Sequence, residues 1–345
     1  MRRRPLIFAA IGLAVLLIAY TIYWFVLAHI VRGDIADWTS QQRAQGFTVA
    51  FGEPVIGGFP FAVRARMAAP DITAPDGLWH WQGPDTELRV SPWAPFDFSF
   101  AAPGHHHVML AGSAPRDIAL DAETLVVSID IGRDGRLTNF SLDLAAASLA
   151  DNLSQTARLA QAAITGHLPW PISNDPDLSS LDLNIDATGI DLPPNVRAPL
   201  GQRIEKLHLV SQVMGMVPPG LPREALAAWR DAGGVLQLRE SEINWGPLWA
   251  AGDGTFALDQ TMQPLAAGSL RIAGLAETLD VLTAAGMLQA GPAKLAQFMF
   301  GAVARPPSGG GRPEVKLPLA IQNGALNMGP IKLTQLPPID WTRVP

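Results

Sequence analysis

The 345-residue chain contains no cysteine, and among its basic residues only four are lysines. Without cysteine the protein can form no disulfide, thiolate nucleophile or zinc–thiolate site. The sequence also lacks the G-x-S-x-G, Walker, H-E-x-x-H and dinucleotide-binding motifs that mark common enzymes. We therefore predict no catalytic residue and no cofactor, and we expect a protein that is not an enzyme.

Positive charge is scarce beyond the N-terminus. Outside Arg2, Arg3 and Arg4, the chain has 22 basic residues against 31 acidic ones. Nucleic-acid binding needs clustered cations that neutralise phosphates, so we expect no nucleic-acid partner. The same acidic balance argues against wide contact with anionic lipid surfaces.

A long apolar segment follows the three arginines. Residues 5–28 carry no charged side chain, and a helix of about 20 apolar residues is enough to cross a hydrocarbon core about 30 Å thick. Tyr20, Tyr23 and Trp24 lie at its far end, where aromatic rings favour the membrane interface. The segment is longer than the apolar region of a cleaved signal peptide, which indicates an uncleaved signal-anchor.

The arginines are expected to hold the N-terminus in the cytoplasm and to place the remaining chain across the membrane. We therefore divide the chain into residues 1–30, a cytoplasmic tail with a transmembrane signal-anchor, and residues 31–345, an exported body. The alternative is an unusually long, cleaved signal peptide. In both interpretations the body is exported.

Beyond residue 30 the period of the apolar residues changes. Steps of three and four predict a juxtamembrane helix over residues 31–46. Alternation of apolar and polar residues then dominates, which is typical of antiparallel strands with one buried face. Asp134-Gly135, Asp253-Gly254 and Asn323-Gly324 predict three hairpin turns. The alternating runs are 61–67, 125–131, 140–144, 181–186 and 315–321.

Three helices are predicted among the strands, over residues 222–232, 275–285 and 292–302, the last two as a helical hairpin. Residues 145–168 fit either a helix or a strand, and residues 305–313 read as a flexible loop. The fold class is mainly β (α+β): an N-terminal transmembrane helix, then a large, curved, mostly antiparallel β-sheet with a few covering helices.

The one cluster of potential metal ligands is His105-His106-His107. Neighbouring residues on a strand point to opposite faces, so at most His105 and His107 could share one ion. We therefore predict no metal site here and interpret the cluster as a polar segment leading into a strand.

A sharper motif is Gly57-Gly58-Phe59-Pro60-Phe61, where glycines allow a tight bend and proline suits a strand start. With this motif, with Gly46-Phe47-Thr48-Val49 and with the Tyr20, Tyr23 and Trp24 anchor end, the chain resembles the domain of unknown function 2125 family. The resemblance implies a bacterial inner-membrane protein, mainly of alphaproteobacteria, with its body in the periplasm. That family supplies no catalytic residue, so the motif is assigned a structural role.

A second likeness is carried by residues 244–248, 252–254 and 270–275, which are similar to AsmA-like periplasmic β-rich proteins. Those proteins are thought to form hydrophobic grooves for lipid passage. The function expected here is non-enzymatic: handling phospholipid or another apolar envelope component, or supporting envelope assembly, with the inner membrane as a partner through the N-terminal helix. The alternatives are a periplasmic scaffold or protein-interaction module whose core is filled by its own side chains and, least favoured, an uncharacterised enzyme.

Overall fold

The computed structural model describes residues 3–112, 115–152, 155–170, 175, 177–216, 223–301, 304–306 and 312–341, with the side chains of Phe8 and of the residues from Ile11 onward. Within these residues the chain forms four helices and 20 strands of one antiparallel sheet, which confirms the mainly β fold class. Two compact units divide it: residues 1–137 with 146–154, and residues 138–145 with 155–345.

Where it is described, the first unit contains one helix, ten strands of three to eight residues and part of a longer strand. The shared strand is β11 (Leu137–Asp151): residues 138–145 belong to the second unit, and the part from Ala146, whose φ is +48°, belongs to the first. The elements are α1 (Arg3–Ala44), β1 (Thr48–Ala50), β2 (Val55–Gly57), β3 (Val63–Met67), β4 (Asp71–Thr73), β5 (Trp79–Gln82), β6 (Thr86–Ser91), β7 (Ala94–Ala101), β8 (Gly104–Leu110), β9 (Arg116–Ala122), β10 (Thr124–Ile131) and β11 (Leu137–Asp151).

Among its described residues, the second unit contains three helices, seven strands of nine to 13 residues and two short strands at its C-terminal end, with the rest of the shared strand. Each of its strands from Thr156 to Gln335 pairs with the next along the chain. The elements are β12 (Thr156–His167), β13 (Ser179–Asp191), β14 (Arg203–Met214), α2 (Arg223–Asp231), β15 (Val235–Trp245), β16 (Leu248–Leu258), β17 (Pro264–Ala273), α3 (Leu275–Ala284), α4 (Ala290–Gly301), β18 (Glu314–Gln322), β19 (Ala325–Met328) and β20 (Ile331–Gln335).

Helix α1 is a single element of 42 residues, about 63 Å long at 1.5 Å per residue. Eight large apolar side chains between Phe8 and Ile22 are each more than half exposed, so this half is apolar on all sides. From Trp24 onward the helix buries a stripe formed by Trp24, Leu27, Ala28, Val31 and Ile35, the three- and four-residue spacing that places side chains on one helix face. The predicted boundary at residues 30 and 31 falls inside this helix.

Two of the three predicted hairpin turns are confirmed. Gly135 has a φ of +80° and lies in a turn that the Gly132 N–H closes by donating to the Arg136 carbonyl oxygen. Gly324 has a φ of +69° and lies between the paired strands β18 and β19. The Asp253-Gly254 prediction is wrong, because β16 continues through it from Leu248 to Leu258. The glycine serves a close approach instead: a Cβ on Gly254 would lie 3.0 Å from the Ala267 carbonyl oxygen of β17.

The ambiguous segment 145–168 forms strands, belonging to β11 and β12, where it is described. Its alanines favour helix, but pairing with β9 and β13 prevails because a strand at this place in the sheet satisfies its backbone groups on neighbours. The helices predicted over residues 222–232, 275–285 and 292–302 are confirmed as α2, α3 and α4, with ends within two residues of the prediction. Residues 222 and 302 lie outside the described residues. Most of the predicted loop 305–313, residues 307–311, also lies outside the described residues.

Candidate functional site

The Gly57–Phe61 motif forms a tight loop between β2 and β3. Gly58 has a φ of +98°, and the Ala62 N–H donates to the Gly58 carbonyl oxygen over 3.0 Å. A Cβ on Gly58 would lie 2.5 Å from the Ala62 carbonyl oxygen, so glycine is required. The Phe59–Pro60 peptide bond is cis. The motif therefore fixes the path of the chain as it enters β3.

This loop packs against α1. The Trp24 indole N–H donates to the Ala62 carbonyl oxygen over 3.0 Å, and the Phe59 ring meets the Trp24 ring edge-on at 5.5 Å between centroids. The Tyr20 hydroxyl donates to the carbonyl oxygen of Pro60. The motif and the anchor aromatics, which the sequence singles out separately, thus form one contact.

An apolar cavity of about 430 Å³, the helix cavity, lies beside α1 beyond this contact. Val31, Ile35 and Trp38 of the helix form one wall, and the strands and Phe51 form the others. Of its thirteen lining residues only Asp34 and Thr86 are polar, and the Thr86 hydroxyl donates to the Met67 carbonyl oxygen over 3.4 Å. The wall residues outside the helix are Phe51, Met67, Pro70, Ile72, Trp81, Thr86, Leu88, Phe98 and Phe100.

The size and chemistry of the helix cavity suit an apolar ligand. Ligand pockets are typically about 300–1,000 Å³ and mostly apolar, with few polar groups. The one ionisable lining residue, Asp34, belongs to the exposed side of α1. Binding in this cavity would rest on hydrophobic contact rather than on hydrogen bonds or charge.

The second unit has an apolar cavity of its own, about 310 Å³, which we call the sheet groove. It lies on a face where strand register aligns apolar rows. One row crosses β14 to β18 through Leu207, Ile243, Ala250, Ile272 and Val315.

Glycines form part of the groove floor. Gly254 of β16 pairs with Gly268 of β17, and both line the groove. A Cβ on Gly268 would lie 2.5 Å from the Asp253 carbonyl oxygen, so the two strands approach too closely for a side chain. Because glycine has no side chain, the groove is deeper at these two positions. Leu238, Phe256 and Leu319 also line it.

The same apolar face is filled by the chain itself under α3 and α4. Leu317, which is 1% exposed, packs there with Leu279 of α3 and Ala296 of α4. Ala250 belongs both to this core and to the sheet groove. One part of the face is therefore packed core and another part is open groove. The alternating sequence pattern is the same in both parts and does not distinguish them.

The three histidines of β8 have separate partners. His105 lies 2.8 Å from an Asp121 carboxylate oxygen, and His107 pairs with Asp117. His106 is buried and lies between the Trp81 indole N–H, 3.3 Å away, and the Ala102 carbonyl oxygen, 2.8 Å away. Among the described residues no group of three or more His, Asp or Glu side chains could hold a metal ion.

Three carboxyl groups have pKa values lowered by their neighbours, and one of them, Glu242, lines the sheet groove. The Lys206 ammonium, 2.7 Å from Glu242, lowers the pKa of that carboxyl group, and the Trp249 indole N–H adds to the effect. A hydrogen bond from Gln82 lowers the pKa of Asp71, and one from Thr261 lowers the pKa of Asp259. Each of these shifts has its cause in a partner on a paired strand or within a turn.

Replacing Glu242 with glutamine should lower the free energy of unfolding by up to about 1 kcal/mol at neutral pH, the usual range for a partly exposed ion pair. Folding lowers the pKa of Glu242, so its contribution is present above the ordinary value of 4.5 and is lost as the pH falls through the lower, folded-state value. Urea unfolding of both proteins at a series of pH values measures this. A difference that persists unchanged in acid would contradict it.

The fold and cavities define a class: a β-sheet protein in which one helix among the described residues, near the N-terminus, is long and apolar enough to cross a membrane. The chain belongs to the DUF2125 family, described as uncharacterized protein conserved in bacteria, whose sequence profile matches residues 24–337. The predicted family resemblance is therefore confirmed, and the match includes the Gly57–Phe61 motif. No curated protein and no solved structure shows a significant match to the chain.

Proposed function

We propose that the protein is a non-enzymatic, membrane-anchored holder of an acyl-chain lipid in the bacterial periplasm. The helix cavity is the observation that carries this proposal. Its walls are apolar, and its volume of about 430 Å³ lies in the range of ligand pockets. A long hydrocarbon chain is the apolar ligand that a membrane-tethered protein meets most often.

The placement of α1 supports anchoring in the inner membrane. Its exposed half, from Phe8 to Ile22, is apolar on all sides and follows three arginines. A helix of that kind needs an apolar surrounding, and preceding arginines favour the cytoplasmic side. The N-terminus is then cytoplasmic and the sheet periplasmic.

The cavity lies close to the proposed membrane but outside its core. Val31 and Trp38 follow Trp24 by 7 and 14 residues, which is about 10 and 21 Å along the helix axis. An acyl chain in the cavity would therefore have left the hydrocarbon core. This distance supports a role in holding lipid, as opposed to ordinary contact with bilayer lipid.

Photo-crosslinking of the full-length protein in proteoliposomes tests this function. Phospholipid with a diazirine in its acyl chain should label cavity residues such as Met67, Phe98 and Phe100, as well as the exposed half of α1. Replacing Trp38, which is 44% exposed, with glutamate should reduce cavity labelling about tenfold or more, because a charge beside an acyl chain costs over 1.4 kcal/mol.

Leu78→Glu provides the matched control, since Leu78 is 53% exposed and does not line the cavity. It should leave cavity labelling unchanged, and in both variants labelling of residues 11–22 should persist. Labelling confined to residues 11–22, the exposed half of α1, in the unmodified protein would reject lipid holding. The protein would then be better explained as a periplasmic scaffold with a self-filled core.

A further inference from the structure

Two loops beside α1 expose large aromatic side chains. The first comprises residues 57–61 and the second residues 91–93. Phe59, Phe61 and Trp93 are 51%, 71% and 68% exposed. Clustered apolar exposure of this kind usually marks an interaction site, and the chain around these loops indicates which partner fits.

The loops are bonded to α1 at a defined height. The hydroxyl groups of Tyr20 and Tyr23 donate to the carbonyl oxygens of Pro60 and Pro92, the second over 2.6 Å. Counted from Arg4, Tyr20 lies about 24 Å and Trp24 about 30 Å along the helix axis. The hydrocarbon core is also about 30 Å thick, so the loops meet the helix near the far boundary of that core.

The opposite side of α1 is apolar at the same height. Phe25, Val26 and Ile30 are each at least half exposed, His29 is an exposed polar side chain beside them, and the first Asp, Glu, Lys or Arg after Arg4 is Arg32. The uncharged segment from residue 5 to residue 31 extends about 40 Å, longer than the hydrocarbon core but within the thickness of a bilayer with its headgroups. Helix and loops therefore present apolar surface at one level.

Several backbone groups of the loops have partners within the protein. Pro60 and Pro92 have no N–H group, and their carbonyl oxygens accept hydrogen bonds from the two tyrosines. The Ala62 carbonyl oxygen accepts from Trp24, and the Ala62 N–H donates within the loop. Non-helical backbone at membrane depth requires such internal partners.

Cationic side chains follow directly along β3 and its partner β6. Arg64 and Arg89 are directly opposite each other in the strand register, and Arg66 is two residues further on. Glu87 neutralises part of this charge, 2.8 Å from Arg66 and 3.7 Å from Arg64. Like charges directly opposite each other destabilise a sheet unless an anion compensates them. Lipid phosphates lie at the membrane interface, next to the layer that aromatic side chains occupy, and would supply such anions.

We propose that residues 57–61 and 91–93 insert into the headgroup–acyl boundary of the bilayer that α1 crosses. The family motif is then a membrane-contact loop, and the body is held on the membrane surface by three aromatic side chains in addition to its helix. This rests on the membrane anchoring of the proposed function but not on lipid holding in the helix cavity.

The absence of cysteine allows single-site labelling of the full-length chain. Phe61→Cys and Trp93→Cys would carry a nitroxide spin label in phosphatidylcholine–phosphatidylglycerol proteoliposomes. Power saturation compares collisions with oxygen, which concentrates in the bilayer, against a water-soluble nickel chelate. We expect both labels to be reached by oxygen far more than by nickel.

Two further sites calibrate the measurement. Leu13→Cys, on the exposed apolar half of α1, should report the hydrocarbon core. Leu78→Cys should report water, because Leu78 is 53% exposed and its neighbour Trp79 contacts Phe47, just beyond the C-terminal end of α1. Labels at 61 and 93 as accessible to nickel as the label at 78 would overturn the loop insertion while leaving the anchor intact. A label at 13 that is accessible to nickel would overturn both.

Discussion

Replacing Trp24 with alanine is expected to separate the long helix from the sheet and to lower the free energy of unfolding by about 3–5 kcal/mol, the usual cost for a buried tryptophan. Trp24 is 5% exposed, packs with Val63 and Val90, and donates to the Ala62 carbonyl oxygen. Alanine preserves the helix itself. The loss therefore comes from the tertiary contact.

Denaturant unfolding in detergent micelles measures this loss, and hydrogen–deuterium exchange locates it. Exchange should rise in β3, β6 and the buried half of α1. Leu78→Ala truncates a side chain that is 53% exposed and lies outside the cavity and the membrane-contact loops, so it should change stability by about 0.5 kcal/mol or less. Equal losses in the two variants would show that the helix is not held by its buried stripe.

Replacing Leu317 with alanine is expected to cost about 2–5 kcal/mol in the second unit. Leu317 is 1% exposed beneath α3 and α4, where neighbouring side chains leave little room for collapse. Thermal unfolding gives the size of the effect, and exchange in β16, β17 and β18 reports its location. This is the response of a packed core.

Leu238→Ala tests the open part of the same face. Leu238 is partly exposed and lines the sheet groove, so its removal creates no closed cavity and should cost clearly less than the Leu317 change. A cost as large as that of Leu317→Ala would mean that the groove is packed in solution. The pair therefore measures how far the chain fills this face by itself.

Local signals in the sequence predict much of the fold. Alternation of apolar and polar residues places β10, β13 and β18, and Asn323-Gly324 gives the turn before β19 because both residues take positive φ. The helices α3 and α4 follow from apolar spacing. These features depend on neighbours within a few residues, which a sequence displays directly.

Where distant neighbours determine the outcome, sequence patterns are insufficient. Alanine-rich residues 145–168 join strands because the sheet satisfies their backbone groups. Asp253-Gly254 looks like a turn, yet Gly254 is required by the close approach of β17. In both places the partner lies on another strand.

The sequence by itself determined the apolar helix, the alternating strands and the Gly57–Phe61 motif, because composition and short-range spacing encode each of them. Only the tertiary structure joined the motif to Tyr20 and Trp24. Only it divided the apolar face of the second unit into core and groove, and formed the helix cavity in the first unit. The physical reason is that an apolar residue on a strand has the same pattern whether it faces a neighbouring side chain or an open cavity. That difference depends on what the rest of the chain places opposite it.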